Sequence, residues 1–265
     1  MTAGPDPDVV ALVPSSVRDT GRLVVGLEAQ YPPFEFREPG SPIVVGADAD
    51  LAARIGELMG LTVTYSDEAF DSLLPSLNSG KYDVVMSALS VTAERQRSTD
   101  FVTYFHEGDG ALVKAGNPLD LGVNARLCGV KVAVLKGSTQ QQNSIPLLNQ
   151  ACSGARRPPI RVTVVAASGE LAPALQSGQV QAVLTDRSNA AYTAANSSGA
   201  LDFAPGRPFN PAPLGVATPK GNGMAQAVQK ALEVMMADGS YLQILTKWGV
   251  KDGAVDAAPV NEVSD

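Results

Sequence analysis

One short pattern occurs twice, and it limits the folds open to this chain more than any other feature. Pro75-Ser-Leu-Asn-Ser-Gly80 runs into the apolar Val84-Val-Met86 and ends on Ser87-Ala88. Pro173-Ala-Leu-Gln-Ser-Gly178 runs into Ala182-Val-Leu184 and ends on Thr185-Asp186, with position 75 matched by 173 and position 88 by 186, a constant step of 98 residues. Each copy reads as a helix stopped at Ser-Gly and followed by a buried strand whose carboxyl end delivers polar side chains. The whole chain alternates in this way. Strands are expected at Arg22–Gly26, Leu61–Tyr65, Asp83–Met86, Gly129–Val134, Arg161–Val165 and Ala182–Leu184. Helices are expected at Asp50–Met59, Phe70–Leu77, Ser188–Ala195, Met224–Ala237 and Tyr241–Trp248, with a helical lead-in from Val9 to Val17 and a frayed tail from Asp252 to Asp265. Such alternation predicts an α/β protein with mainly parallel sheets covered by helices, built as two similar halves. In open parallel sheets ligands gather at the carboxyl ends of the strands.

At 265 residues the chain is long enough for two such halves. The formal charge of −7, with no Lys/Arg cluster, argues against a nucleic-acid partner, because phosphate binding needs concentrated positive charge. No apolar run approaches the roughly 20 residues of a membrane helix. The start, Met-Thr-Ala-Gly-Pro-Asp, lacks the basic and apolar regions of a signal peptide, so either the protein stays in the cytosol or an export signal has been removed. The single histidine, His106, and the two cysteines leave no His/Cys metal set, and a lone histidine gives a nucleophile–histidine pair little support. Lys136-Gly-Ser-Thr139 lacks the upstream glycine and the length of a phosphate-binding loop. Asp48 and Asp50 lack the later ligands of a calcium loop and read instead as helix caps.

Six motifs in order, Tyr31-Pro-Pro-Phe-Glu-Phe36, Gly46-Ala-Asp-Ala-Asp-Leu51, Phe70-Asp-Ser-Leu-Leu-Pro-Ser-Leu77, Ser87-Ala-Leu-Ser-Val-Thr-Ala-Glu-Arg95, Lys136-Gly-Ser-Thr-Gln140 and Leu184-Thr-Asp186, give the chain a resemblance to the family 3 extracellular solute-binding proteins that serve polar amino-acid ABC importers. The resemblance runs from about Arg22 to Val250. It implies a type II periplasmic-binding-protein fold with two lobes, residues 1–107 plus 207–265 and residues 108–206, a ligand cleft between them, and crossings near His106–Asp109 and Ala204–Pro208. It also implies a monomer in the periplasm or at the cell surface, with its signal peptide removed and a lipid anchor conceivable on the precursor. The partners implied are a free amino acid and a membrane permease. No cofactor, metal or catalysis is expected.

Carried over by motif, Arg95 would grip the ligand α-carboxylate in paired hydrogen bonds, assisted by Ser90 and the main chain at Ala88. Thr139 and the amides opening the Gly137–Gln142 helix would approach the same group. Asp186 would take the α-ammonium, although as the residue before a helix it could also serve as a cap. Tyr31 and Phe70 would sandwich the side chain, Glu28 would face its far end, and Ser87, Leu135 and Gln140 would line the pocket. Two departures stand out: Ala88 replaces the serine usual in binders of basic amino acids, and Ala47 replaces an expected aromatic. With export implied, Cys128 and Cys152 are expected to form a disulfide. A dehydratase of the cyclohexadienyl type, using Arg95 and Glu28, and the sensing domain of a receptor remain as alternatives on the same fold.

Overall fold

The computed structural model describes residues 4–204 and 206–262. It is an α/β protein that divides into two compact units. The first runs from the N-terminus to Ala29, through Pro33–His106, and again from Ala212 onward; the second comprises Gln30–Pro32 and Glu107–Pro211. Pro205, inside the expected second crossing, lies outside the described residues.

In the first unit the strand Arg22–Leu27 pairs in parallel with Thr62–Asp67 on one side and Val84–Val85 on the other. Ala217 of the strand Phe209–Pro219 then pairs antiparallel with Val85. The helix Ala47–Met59 covers this sheet with Leu51, Ile55, Leu58 and Met59 buried, each contributing about 1.5–3 kcal/mol of apolar burial. It begins earlier than expected because Gly46 sits at φ 131°. A Cβ there would lie 2.0 Å from the Phe34 carbonyl oxygen, so only glycine allows so abrupt an entry. The lead-in is two helices, Pro7–Leu12 and Ser15–Arg18. Pro14 separates them, holding Val13 in the extended region at ψ 124°.

The expected frayed tail is docked instead. Val260 bridges to Val102, the Thr103 N–H donates to the Pro259 carbonyl, and Asn261 exchanges bonds with Phe101 in both directions at 2.8 and 2.9 Å. These contacts occupy backbone groups that a strand edge would otherwise leave open. Residues 263–265 of the expected tail lie outside the described residues.

In the second unit Lys131–Leu135 pairs in parallel with Arg161–Val165 over five positions and with Ala182–Asp186 on its other side. Ala182–Asp186 runs antiparallel to the later part of Thr99–Lys114, with Asp186 directly opposite Asp109. Cys128 and Cys152 are disulfide-bonded, fastening the helix Ile145–Gly154 to the entry of Lys131–Leu135 within a core that includes Leu127, Val132, Val134, Leu148 and Leu184.

The internal repeat is structural as well as sequential. A 3₁₀ turn at Phe70–Ser72 leads into the helix Leu73–Asn78, and 98 residues on, Ser168–Glu170 leads into Leu171–Gln176. Both helices stop at a left-handed glycine, Gly80 at φ 82° and Gly178 at φ 81°.

The disulfide closes a loop with a sequence separation of 24, for which chain entropy gives a stabilisation of about 3 kcal/mol. Replacing both cysteines with serine is expected to lower the urea midpoint by the equivalent of that figure. An unchanged midpoint would show that the loop is already ordered in the unfolded chain.

Candidate functional site

The first unit collects Glu28, Phe70, Ser87, Ala88, Ser90 and Arg95 at the ends of its parallel strands. Arg95 opens the 3₁₀ turn Arg95–Arg97. Its Nη1 donates to the Ser90 carbonyl at 2.7 Å, its backbone N–H donates to Thr92 Oγ1 at 3.2 Å, and its guanidinium lies 5.7 Å from the Phe70 ring centroid. Phe70 is half-buried and packs against the core around Leu73, Leu77 and Val91. The ring, held by this core, lies within cation–π range of the guanidinium and limits where the arginine side chain can swing.

Behind these residues stand two buried carboxylates, Glu35, to which the sequence assigns no role, and Asp48, expected as a helix cap. Ser87 Oγ accepts the Glu28 N–H at 3.1 Å and donates to Glu35 Oε1 at 2.7 Å. Asp48 accepts the Ala88 N–H at 2.8 Å and the Tyr104 hydroxyl at 2.8 and 2.9 Å. Ala88 is buried at φ 44°, a left-handed conformation costly for any residue with a Cβ, and the Asp48 bond is what holds it there. The cap reading of Asp48 and Asp50 is therefore corrected. The position before the helix is Gly46, and both aspartates lie inside the first turn. Asp48 turns inward to the backbone, while Asp50 accepts Lys247 Nζ at 2.6 Å and Trp248 Nε1 at 2.8 Å. The signal was present, since Glu35 and Asp48 both sit within the quoted motifs, but nothing local distinguishes a brace from a cap.

The second unit collects Tyr31, Leu135, Thr139, Gln140 and Asp186, all buried. Asp186 stands before the helix Arg187–Ala195 but makes no side-chain cap bond. Its Oδ2 accepts the Tyr31 hydroxyl at 2.9 Å and its Oδ1 accepts Gln140 Nε2 at 2.8 Å. The same Nε2 donates to Asp109 Oδ1 at 2.8 Å. Tyr31 Oη also lies 2.8 Å from Thr185 Oγ1, which donates to Asn189 Oδ1 at 3.1 Å. Tyr31 was expected as an aromatic wall and is also a hydroxyl donor. Asp109, Thr185 and Asn189 had been given no part in the site.

The helix expected to open over Gly137–Gln142 does open there, as a π-helical turn, Gln140–Ser144, closed by the Ile145 N–H on the Gln140 carbonyl and continued by Ile145–Gly154. Pro146 explains this geometry: it has no N–H for Gln142, and in an α-helix its ring would strike that carbonyl. The widened turn carries Gln140 beside the two aspartates.

The electrostatics of both sets share one cause, the removal of carboxylates from water. Burial, followed by the charge of Asp48, holds Glu35 well above the usual carboxylate range. Burial pushes Asp48 up to about 6 against the opposing bonds from Ala88 and Tyr104. In the second unit burial pushes Asp109 up to about 6, with Gln140 and Ser144 opposing. Asp186 is held well above its ordinary value by burial and then by the charges of Glu107 and Asp109.

Comparisons with known proteins identify the family and the fold. Residues 23–251 match the family model described as bacterial extracellular solute-binding proteins, family 3. The arginine-binding protein ArgT of Corynebacterium glutamicum is 27% identical over 260 residues, covering 97% of this chain and 84% of the relative. A solved structure described as an ancestral arginine-binding protein bound to arginine aligns at TM-score 0.76 and 35% identity, over 86% of this chain and 98% of its own. The ancestral amino-acid-binding protein AncCDT-1, described as a precursor of cyclohexadienyl dehydratase, aligns at TM-score 0.78 and 30% identity, over 90% and 99%. The fold is that of the type II periplasmic binding proteins. The chain belongs to the bacterial extracellular solute-binding proteins of family 3.

The raised carboxylates fix the sign of a pH effect. Asp48 and Asp109 titrate near 6 when folded but near the ordinary aspartate value when unfolded, so between those limits the folded state binds more protons and loses stability as pH rises. The ligand-free protein is expected to melt at a higher temperature at pH 5 than at pH 7.5, and Asp48→Asn should reduce the difference. A melting temperature that rises over this interval would contradict the assignment.

Proposed function

We propose that this chain is the solute-binding component of an amino-acid ABC importer, working outside the cytoplasm as a monomer and catalysing nothing. It takes up one free amino acid, with polar, basic or amide side chains favoured, and hands it to a membrane permease. Lobes bounded near residues 107 and 207 would close on the ligand about a hinge. A lipid anchor on the full-length precursor would fit the same role.

One observation carries the reading. The first unit offers a guanidinium stacked on Phe70 and held by Ser90, and the second offers the buried carboxylate of Asp186, whose hydrogen-bond partners Tyr31 and Gln140 are neutral. These are the complements of the carboxylate and ammonium groups of a zwitterion. Ser90, Ala88 and Thr139 would add donors to the α-carboxylate; Tyr31 and Phe70 would flank the side chain, Ser87, Leu135 and Gln140 would line its pocket, and the buried Glu28 would meet a cationic or amide end. Charge-assisted bonds contribute about 1.5–3 kcal/mol each, so three or four suffice for the roughly −8 kcal/mol of a micromolar complex after association costs. The names of the relatives, arginine-binding and amino-acid-binding, support the same class of ligand.

Calorimetric titration of the protein, stripped of ligand by unfolding and refolding, against the common amino acids tests the class. The expected result is micromolar or tighter binding of a basic or amide amino acid, weakened about a hundredfold in Arg95→Ala. An Arg95→Ala protein that binds as well as the wild type would sink the reading. Asp186→Asn separates the two ends of the ligand: it is expected to weaken amino acids while sparing analogues that lack the α-amino group. Equal losses for both would put the ammonium elsewhere.

A further inference from the structure

Asp109 and Asp186 stand directly opposite one another on antiparallel strands, and both are buried. Like charges in that position repel, yet the pair is bridged by one neutral donor, Gln140 Nε2, at 2.8 Å to each carboxylate. The remaining oxygen of Asp186 takes the Tyr31 hydroxyl, whereas Asp109 Oδ2 is buried with no hydrogen-bond partner. Glu107, two positions earlier on the strand of Asp109, adds a third carboxyl group, which accepts the Ser188 N–H at 3.1 Å and the Gly108 N–H at 2.9 Å. The nearby cation, Arg187, stacks at 4.9 Å from the Phe203 ring and donates to the Gly206 carbonyl. From the other packed elements come the uncharged Ser144 and Asn210, themselves hydrogen-bonded at 3.0 Å. Two buried carboxyl groups and the half-buried Glu107 thus share an environment supplied mainly with neutral donors.

We propose that Asp109 is a positioning residue for Asp186: through the shared Gln140 amide it orients the Asp186 carboxylate, and through its own negative charge it ties the ionisation of Asp186 to the arrival of the ligand's α-ammonium group. The proposal rests on the reading of Asp186 as the ammonium acceptor. An ammonium beside Asp186 supplies the missing positive charge, and both aspartates then shed protons more readily. Removing the charge of Asp109 relieves Asp186 even without ligand, so Asp186 should ionise at lower pH.

The test follows the carboxyl carbon of Asp186 by NMR titration of ligand-free protein labelled at aspartate, in wild type and in Asp109→Asn, with Asp109→Ser as a second variant should the first fail to fold. The expected result is an Asp186 midpoint at least about half a unit lower in the variant. The pH at which arginine affinity is half lost, read by calorimetry, should move down with it. An unmoved Asp186 midpoint overturns the proposal whether or not arginine binds, since a purely structural role for Asp109 would leave that midpoint in place. A lowered midpoint in a protein that binds no amino acid at any pH would keep the coupling of the two aspartates and overturn their assignment to an ammonium group.

Discussion

The contact on which the first unit's site depends is the bond from the Ala88 N–H to Asp48. Ala88 leaves its strand at φ 44°, and only a strong acceptor at a fixed position makes that turn stable in a residue with a Cβ. Asp48 is such an acceptor because Tyr104 donates to both of its oxygens and because Gly46 lets the helix begin close beneath the strand ends. Ser87, one residue before the turn, then bonds Glu28 and Glu35, and Ser90, two residues after it, offers its carbonyl to Arg95. Were the turn to relax, Glu28, Ser90 and Arg95 would all shift together.

The second unit solves the same problem by other means. The repeat that places Ala88 in one half places Asp186 in the other, and the preceding positions, Ser87 and Thr185, both use their hydroxyls to tie the strand end to a neighbouring segment. The halves diverge in charge. In the first unit the carboxylates stand behind the turn as braces, and in the second a carboxylate occupies the turn itself, held by Tyr31 and Gln140. A shared scaffold thereby offers a cationic group in one unit and an anionic one in the other.

Much of this was legible in the sequence. Strands buried on both faces carry runs of Val and Leu, helices end at Gly60, Gly80 and Gly178, and the repeat pairs the two halves residue by residue. The family motifs supplied the residues that each unit gathers, Phe70 and Arg95 in the first and Tyr31, Gln140 and Asp186 in the second. What stayed hidden depends on partners distant in sequence. A buried aspartate in a first helical turn has the same local pattern as a cap, so Asp48 could be separated from one only by finding Ala88 and Tyr104, 40 and 56 residues away. The π turn at Gln140 follows from Pro146, a proline that also suits the opening of an ordinary helix. The docked tail has the polar, glycine-bearing composition of a frayed end, and only its pairing with Val102 and Thr103 orders it.

Buried carboxylates with neutral partners are poor material for a stable protein, because desolvation of the charged form outweighs what neutral donors return. Glu35 and Asp48 lessen this cost through their serine, tyrosine and backbone donors, and through a proton retained more firmly than in water. Each set leaves one carboxylate oxygen without a donor, Glu35 Oε2 in the first and Asp109 Oδ2 in the second, but Asp109 and Asp186 must also divide the single Gln140 amide between them. A fold optimised for stability alone would replace one of the pair by asparagine. That both are acidic makes sense if the missing donor and the missing charge arrive together on a ligand, so that the instability of the empty protein becomes part of the free energy of binding.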